Sequence, residues 1–333
     1  MKHLIIRDAN LQGWAYGMLR SFENAIIEET NAGIAMIPDY SMPAKYFRHF
    51  GNGMNRGKYR RYFPKDQFNL DCDVAWYILM GPEDYRLDVF KGWNENAGKK
   101  ILYLYDTFPS QYELIARIVK DQHWDLLITS FNDAVDDLTR LTRREWICIE
   151  QAADRDLFFP VSLENKLIHF SSYGRKETAF HEIVKSFVSA KGLYYDYTTH
   201  DVKHPTAEPY ELYKQYAWHL THSLFTFSWP VEITNPARAA HLRPVTCRWF
   251  EALASGTIIA GAAPANPAFV KQLSPNAVRP FDLNAGKDAM MDQLNTLWNL
   301  REQYFEDAQK LSNERRHDIS WHKRVQTILD HIK

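Results

Sequence analysis

The chain has 333 residues, 45% of them hydrophobic, 14% aromatic and 24% charged, with a formal net charge of −1. That length exceeds one comfortable core and the composition is too apolar for disorder, so two folded domains are expected. A balance this close to neutral excludes a globally basic nucleic-acid or membrane binder and leaves only local patches for such partners.

The N-terminus, MKHLIIRDAN, has too short an apolar run for a signal peptide and reads as a first strand, His3–Arg7. Further strands are expected at Val74–Met80, Ile101–Tyr105, Leu126–Thr129 and Trp146–Ile149, with amphipathic helices at Trp14–Glu29, Gln111–Lys120 and Asn132–Thr142. Short apolar strands alternating with helices predict a parallel sheet covered on both faces, a doubly wound domain. The polar stretch Ala152–Lys166 carries Pro160, lacks periodicity and reads as a linker. The alternation then restarts, with strands at Leu167–Ser171, Leu193–Thr198, Leu224–Phe227 and Thr257–Ala260. Helices are expected at Arg175–Ala190, Pro209–Tyr216, Val245–Ala254, Lys287–Leu311 and Ile319–Ile332.

Three cysteines (Cys72, Cys148, Cys247) are odd in number and form no CxxC pair, which argues against a disulfide framework or a zinc site. The longest uncharged run, Ala252–Val270, is broken by Gly256, Gly261, Pro264 and Pro267, so no transmembrane segment is expected. The predicted location is the cytoplasm, or peripherally the inner face of its membrane. Two doubly wound domains leave a cleft at the carboxyl ends of their strands, where ligands bind in such sheets. Pattern alone leaves transferase, epimerase, phosphorylase and binding protein open.

One segment concentrates chemistry: Arg243–Gly261, RPVTCRWFEALASGTIIAG. Thr246 after Pro244 gives a helix start, and free amides at such an end favour a diphosphate. Arg248 and Glu251, three apart, share a helical face; an Arg there suits phosphate oxygens and a Glu suits ribose hydroxyls. By spacing alone, the same pair also reads as a solvated ion pair.

VTCRWFEALASGTIIAG resembles the RxFExxAxG segment of GT-B glycosyltransferases of the "glycosyl transferases group 1" type, and relatives similar to spore-maturation proteins. Asp154–Pro160 looks like that family's D-x-x-x-F-x-P element, Gly174-Arg175-Lys176 like its Gly-Arg pair, and Ser320-Trp321 like the start of its terminal helix. The resemblance implies two Rossmann-like α/β domains facing across a cleft: residues 1–160 on the acceptor side, 165–317 binding nucleotide sugar, and 318–333 as a helix crossing back to the first. It further implies that Glu251 binds the donor ribose. Arg248, Thr246 with the backbone after it, Arg175 and Lys176 would face the diphosphate. Many retaining members carry a second Glu eight residues before the first. Here Arg243 stands there, adding a cation to the site and leaving the stereochemistry open.

The reaction so implied is transfer of a sugar, of hexosyl type, from a nucleoside-diphosphate sugar to an acceptor hydroxyl in bacterial-type surface glycan or glycoconjugate synthesis. No cofactor or metal is expected, because cationic side chains and helix dipoles would stabilise the leaving diphosphate; Asp71-Cys72-Asp73 matches a metal-binding DxD in letters only and reads as a turn. Asp106 and Asp8, each following a strand, are the candidates for the general base. The loop Tyr46–Lys65 interleaves Arg56, Lys58, Arg60 and Arg61 with aromatics, which suits a glycan, a lipid-linked or another anionic acceptor, nucleic acid included. His200, His204, His219 and His222 lack ligand spacing and read as ordinary histidines. The rival functions are a sugar-nucleotide epimerase of the same architecture and a non-catalytic nucleotide- or carbohydrate-binding module.

Overall fold

The structure, a computed structural model, describes residues 1–8, 11, 14–38, 66–174, 177–197 and 208–333. Arg56, Lys58, Arg60, Arg61, Arg175, Lys176, His200 and His204 therefore lie outside the described residues. The chain divides into two compact units: Met1–Gln12 with Glu23–Ile149 and Ile328–Lys333, and Gly13–Phe22 with Glu150–Thr327.

The first unit is built on six parallel strands: β1 (His3–Arg7), β2 (Gly33–Met36), β4 (Asp71–Leu79), β6 (Asn96–Leu104), β7 (Leu126–Thr129) and β8 (Ile147–Cys148). Their order is β2-β1-β4-β6-β7-β8. A short parallel pair, β3 (Asp66–Gln67) and β5 (Phe90–Lys91), stands apart from it. Residues Val74 to Leu79 of β4 are all at most 4% exposed, so both faces of the central strand are covered. Helices α1 (Gly17–Thr30), α2 (Tyr112–Asp121) and α3 (Val135–Thr142) follow their strands as expected. The Asp71-Cys72-Asp73 triplet opens β4 rather than forming a turn, with Lys2 Nζ on Asp71 and the Lys2 amide on Asp73.

In the second unit β9 (Ile168–Ser172), β10 (Tyr195–Tyr197), β11 (Ser223–Ser228), β12 (Ile258–Gly261) and β13 (Val278–Pro280) form a second parallel sheet, order β10-β9-β11-β12-β13. Around it run α4 (Thr178–Lys191), α5 (Pro209–Thr221), the single turns α6 (Val231–Thr234) and α7 (Pro236–Ala239), α8 (Cys247–Ala254), α9 (Pro267–Gln272), α10 (Lys287–Asn299), α11 (Arg301–Arg315) and α12 (Trp321–Ile332). On β12 the side chains alternate: Ile258 and Ala260 enter a core with Phe170, Phe187, Phe227 and Leu294, while Ile259 enters another with Tyr213, Trp249 and Leu253. The sheet is covered on both faces, so each unit is a Rossmann-like α/β layer structure.

The expected helix Lys287–Leu311 is two helices, broken at Leu300. The first helix of the second sheet starts at Thr178, not Arg175, because Glu177 caps it by accepting the Phe180 amide at 2.8 Å. The stretch read as a linker is folded into the second unit. Phe158 is fully buried, Asp154 accepts from Ser21 Oγ (2.8 Å) and Tyr210 Oη (3.1 Å), and Ala153 pairs with Ser320.

Candidate functional site

The motif helix α8 buries six of its eight residues, Trp249 to Ala254. A helix so nearly surrounded carries its polar residue inward, and Glu251 is only 1% exposed. The solvated-ion-pair reading of Glu251 is thereby excluded. An ionised carboxylate sealed in a core costs several kcal/mol unless donors surround it. Helix α5 supplies two: Tyr213 Oη donates to Oε1 at 2.5 Å and Tyr216 Oη donates to Oε2 at 2.8 Å. Burial pushes the Glu251 carboxyl above its usual range, while the two hydroxyls, the charge of Arg248 and the Cys247 thiol act in the opposite direction. Burial, reinforced by the charge on Glu251, raises both phenols well above their ordinary value, which keeps them protonated as donors.

Arg248 reaches the turn after β9. A Cβ on Gly174 would lie 2.3 Å from Arg248 Nη2, so the guanidinium rests directly against a backbone that only glycine leaves open; Gly174 also has φ +95°. Two pieces of the sequence motif, far apart in the chain, thus meet at one corner of the second sheet. Beside them the Tyr173 ring stands edge-on to Tyr216 with centroids 5.2 Å apart, and Tyr173 Oη donates to Asp196 Oδ2 at 2.9 Å.

Of the remaining expected donor residues, Thr246 is the N-cap of α8 in extended conformation, without a side-chain capping bond. The first amide beyond it, that of Cys247, donates to Gln151 Oε1 at 2.6 Å, so a protein side chain already takes that helix-start donor. Arg243 turns back on its own chain, Nη1 donating to the Leu242 (2.8 Å) and Ala240 (3.3 Å) carbonyls. In the first unit, Asp8 follows β1 at 2% exposure, and Asp106 follows β6 half-buried, its amide donating to the Met80 carbonyl at 2.7 Å. Strands β1 and β6 flank β4, so both carboxylates stand on the carboxyl edge of that sheet.

Two features carry no signal that sequence reasoning had used. One is the tyrosine ladder Tyr210, Tyr213 and Tyr216 on α5, whose three-residue spacing puts all three hydroxyls on one face, serving Asp154 and Glu251. The other is a pocket of about 390 Å³ at the carboxyl ends of β11, β12 and β13, lined by Trp229, Gly261, Pro280, Phe281, Asp282 and Asn284 among others. Its rim is fixed by Trp229 Nε1 on the Phe281 carbonyl (3.4 Å) and by the Asn284 amide on Asp282 Oδ1 (2.8 Å). The Trp-Pro pair directly after the apolar run LFTFS was the available hint.

No protein-family model and no curated protein sequence matches the chain. Solved structures do. A glycosyltransferase from Rickettsia africae aligns over 99% of this chain and 97% of its own, at 11% identity and a TM-score of 0.53. Anabaena HepE in complex with UDP-glucose aligns over 100% and 99%, at 9% identity and 0.54. UDP-GlcNAc 2-epimerase from Neisseria meningitidis, bound to UDP-GlcNAc, aligns over 100% and 99%, at 8% identity and 0.52. At these identities the likeness defines a fold, and the fold is GT-B: two Rossmann-like α/β units with parallel sheets, as the sequence led one to expect. Among the described residues no helix is long and apolar enough to cross a membrane.

Proposed function

We propose that this chain is a glycosyltransferase that binds a nucleoside-diphosphate sugar in its second unit and passes the sugar to an acceptor hydroxyl. The observation that carries the reading is the corner where Arg248 rests on Gly174 beside the buried Glu251. It sets a cation suited to a diphosphate on the carboxyl edge of a parallel sheet, beside the carboxylate to which the family resemblance assigns the ribose. That structures solved with UDP-glucose and with UDP-GlcNAc share this fold over their whole length supports a nucleotide-sugar ligand. In the proposed step the acceptor oxygen bonds to the anomeric carbon as the bond from that carbon to the diphosphate oxygen breaks. The acceptor proton passes to a carboxylate, for which Asp106, the more open of the two, is preferred to Asp8. Arg248, joined by the sequence-assigned Arg175 and Lys176, meets the charge that develops on the diphosphate, without a metal. An acceptor in surface glycan or glycoconjugate synthesis and a kinship with spore-maturation-like enzymes rest on the sequence resemblance. A cytoplasmic or inner-membrane-face location rests on the odd number of cysteines, which form no CxxC pair, and on the broken uncharged run Ala252–Val270.

The test is a thermal-shift and calorimetric screen against UDP, GDP, ADP and CMP with their sugars. One nucleotide is expected to bind, and Arg248→Ala to weaken it roughly 10- to 100-fold, the worth of a charge-assisted contact. Unchanged affinity in that variant overturns the assignment. The likeness to the Neisseria epimerase favours a second reading, a sugar-nucleotide epimerase. Conversion of the donor sugar with no acceptor present selects it.

A further inference from the structure

The donor-site reading makes no use of the pocket at the carboxyl ends of β11, β12 and β13. Its aromatic wall, Trp229 and Phe281, packs with Phe180 and Phe227 on one face of the second sheet. Helix α8, which carries Arg248 and Glu251, packs on the other face. Trp229 is half-buried and held in place: its ring lies parallel to Phe227 with centroids 5.9 Å apart, and it meets Phe180 edge-on at 4.8 Å. Another part of the wall, Pro275, follows Ser274, whose φ of +102° side chains rarely adopt.

The polar groups lie in one short stretch. Asp282 and Asn284 are both exposed, and the Asp282 amide is anchored on Gln293 Oε1 at 2.8 Å. Asp282 Oδ1 accepts the Asn284 amide; its second oxygen and the Asn284 side chain have no partner among the described residues. Among the described residues that line the pocket, Asp282 is the one charged group. Arg279, between the lining residues Val278 and Pro280, turns away to Asp307 Oδ2 (2.7 Å) and the Tyr304 ring.

This lining suits a small, uncharged ligand rich in hydroxyls. Electron-rich aromatic faces attract the weakly positive C–H groups of a sugar ring. A carboxylate oxygen accepts from hydroxyls, and a side-chain amide both accepts and donates. A carboxylate with no cation beside it repels phosphate, which sets this pocket apart from the Arg248 corner and disfavours a nucleotide. Its volume of about 390 Å³ lies in the range of small-molecule sites, roughly 300–1,000 Å³. We propose that the second unit carries, apart from its nucleotide site, a site for a neutral saccharide that stacks on Trp229 and is held through its hydroxyls by Asp282 and Asn284. The sugar bound here is not the one transferred, and the site stands whether or not the chain is a transferase.

The experiment titrates the full-length protein, by nuclear magnetic resonance and calorimetry, with glucose, galactose, mannose and N-acetylglucosamine. Glucuronate and glucose 6-phosphate are the anionic probes and guanosine is the nucleoside probe. At least one neutral sugar is expected to bind, with the anionic probes weaker by about tenfold or more. Asp282→Ala and Asn284→Ala, both at exposed positions, should each weaken that sugar roughly tenfold, the worth of a hydrogen bond to a charged or polar group. Asp282→Asn should remove the discrimination against the anionic probes, and Arg248→Ala should leave sugar binding unchanged. Melting temperatures establish that each variant is folded. Absence of binding by every neutral sugar overturns the proposal, as does undiminished sugar affinity in folded Asp282→Ala and Asn284→Ala. Binding of guanosine in preference to every sugar overturns it in favour of a nucleoside pocket. Loss of nucleotide affinity in Asp282→Ala overturns it by making the pocket part of the donor site, whereas failure of the sugar titrations alone leaves the donor-site reading intact.

Discussion

At the scale of single residues, the motif Glu is stable where it lies because α5 brings two phenols to it, and the motif Arg is useful where it lies because a glycine lets it approach. Gly174 is the more exacting position. Its φ of +95° suits no L side chain, and a methyl there would overlap Arg248 Nη2. Gly174→Ala is expected to weaken nucleotide binding about as much as Arg248→Ala does, while lowering unfolding free energy by only about 1–3 kcal/mol. Calorimetry and urea denaturation together check this, and full affinity in a folded Gly174→Ala would sink it. Arg248 and Glu251 were legible in the sequence because their motif is local, carried on one short helix. Tyr213 and Tyr216 were not, because their partner lies 38 and 35 residues further on and only the packing of α5 against α8 joins them.

At the scale of elements, the helices that frame this corner are tied at their far ends by one lysine. Lys166 Nζ donates to the Thr221 carbonyl at the end of α5 (2.7 Å), to the Ser255 carbonyl that closes α8 (3.0 Å) and to Thr257 Oγ1 (3.1 Å). These are carbonyls that helices leave unpaired, and a cation at two helix carboxyl ends is well placed. Burial nevertheless pushes its ammonium down from the ordinary 10.5 to about 7. Between those values the unfolded chain holds more protons than the folded one, so the contribution of Lys166 is fully present above pH 10.5 and falls as the pH drops toward 7. The slope in that window is at most about 1.4 kcal/mol per pH unit. Lys166→Met should remove it, so the stability difference between wild type and variant should grow in favour of wild type from about pH 7 to about pH 9. A difference flat across that range in urea midpoints would refute the assignment. Lys166 sits at the end of the stretch read as a linker: its polarity and that of Asp154 serve buried hydrogen bonds, whereas Asp156, Ser162, Glu164 and Asn165 face solvent. Strands such as Val74–Leu79 were legible because both faces are covered, whereas β2 and β13 are short, with Gly33 in one and Arg279 and Pro280 in the other.

At the scale of the molecule, the chain places its expected acid–base candidates and its expected donor residues in different units. Asp8 and Asp106 belong to the first, Glu251 and Arg248 to the second. Alternating strands and helices made both units readable, but membership was less so: α1 changes unit after Phe22 and α12 after Thr327, and nothing in their amphipathic pattern marks the change. This division makes the donor reading testable by where a nucleotide stabilises the protein. A ligand at 100 times its dissociation constant adds about 2.7 kcal/mol to the state that binds it, and amides that exchange through opening of that region slow accordingly. With the nucleotide found by screening, hydrogen exchange should slow most in β9 and its turn at Gly174, in α5 and in α8. The central strands β4 and β6 of the first unit should change least. Arg248→Ala at the same nucleotide concentration should lose most of that protection. Protection that is largest in β4 and β6, or that survives Arg248→Ala undiminished, would place the nucleotide in the first unit and reverse the assignment of donor and acceptor sides.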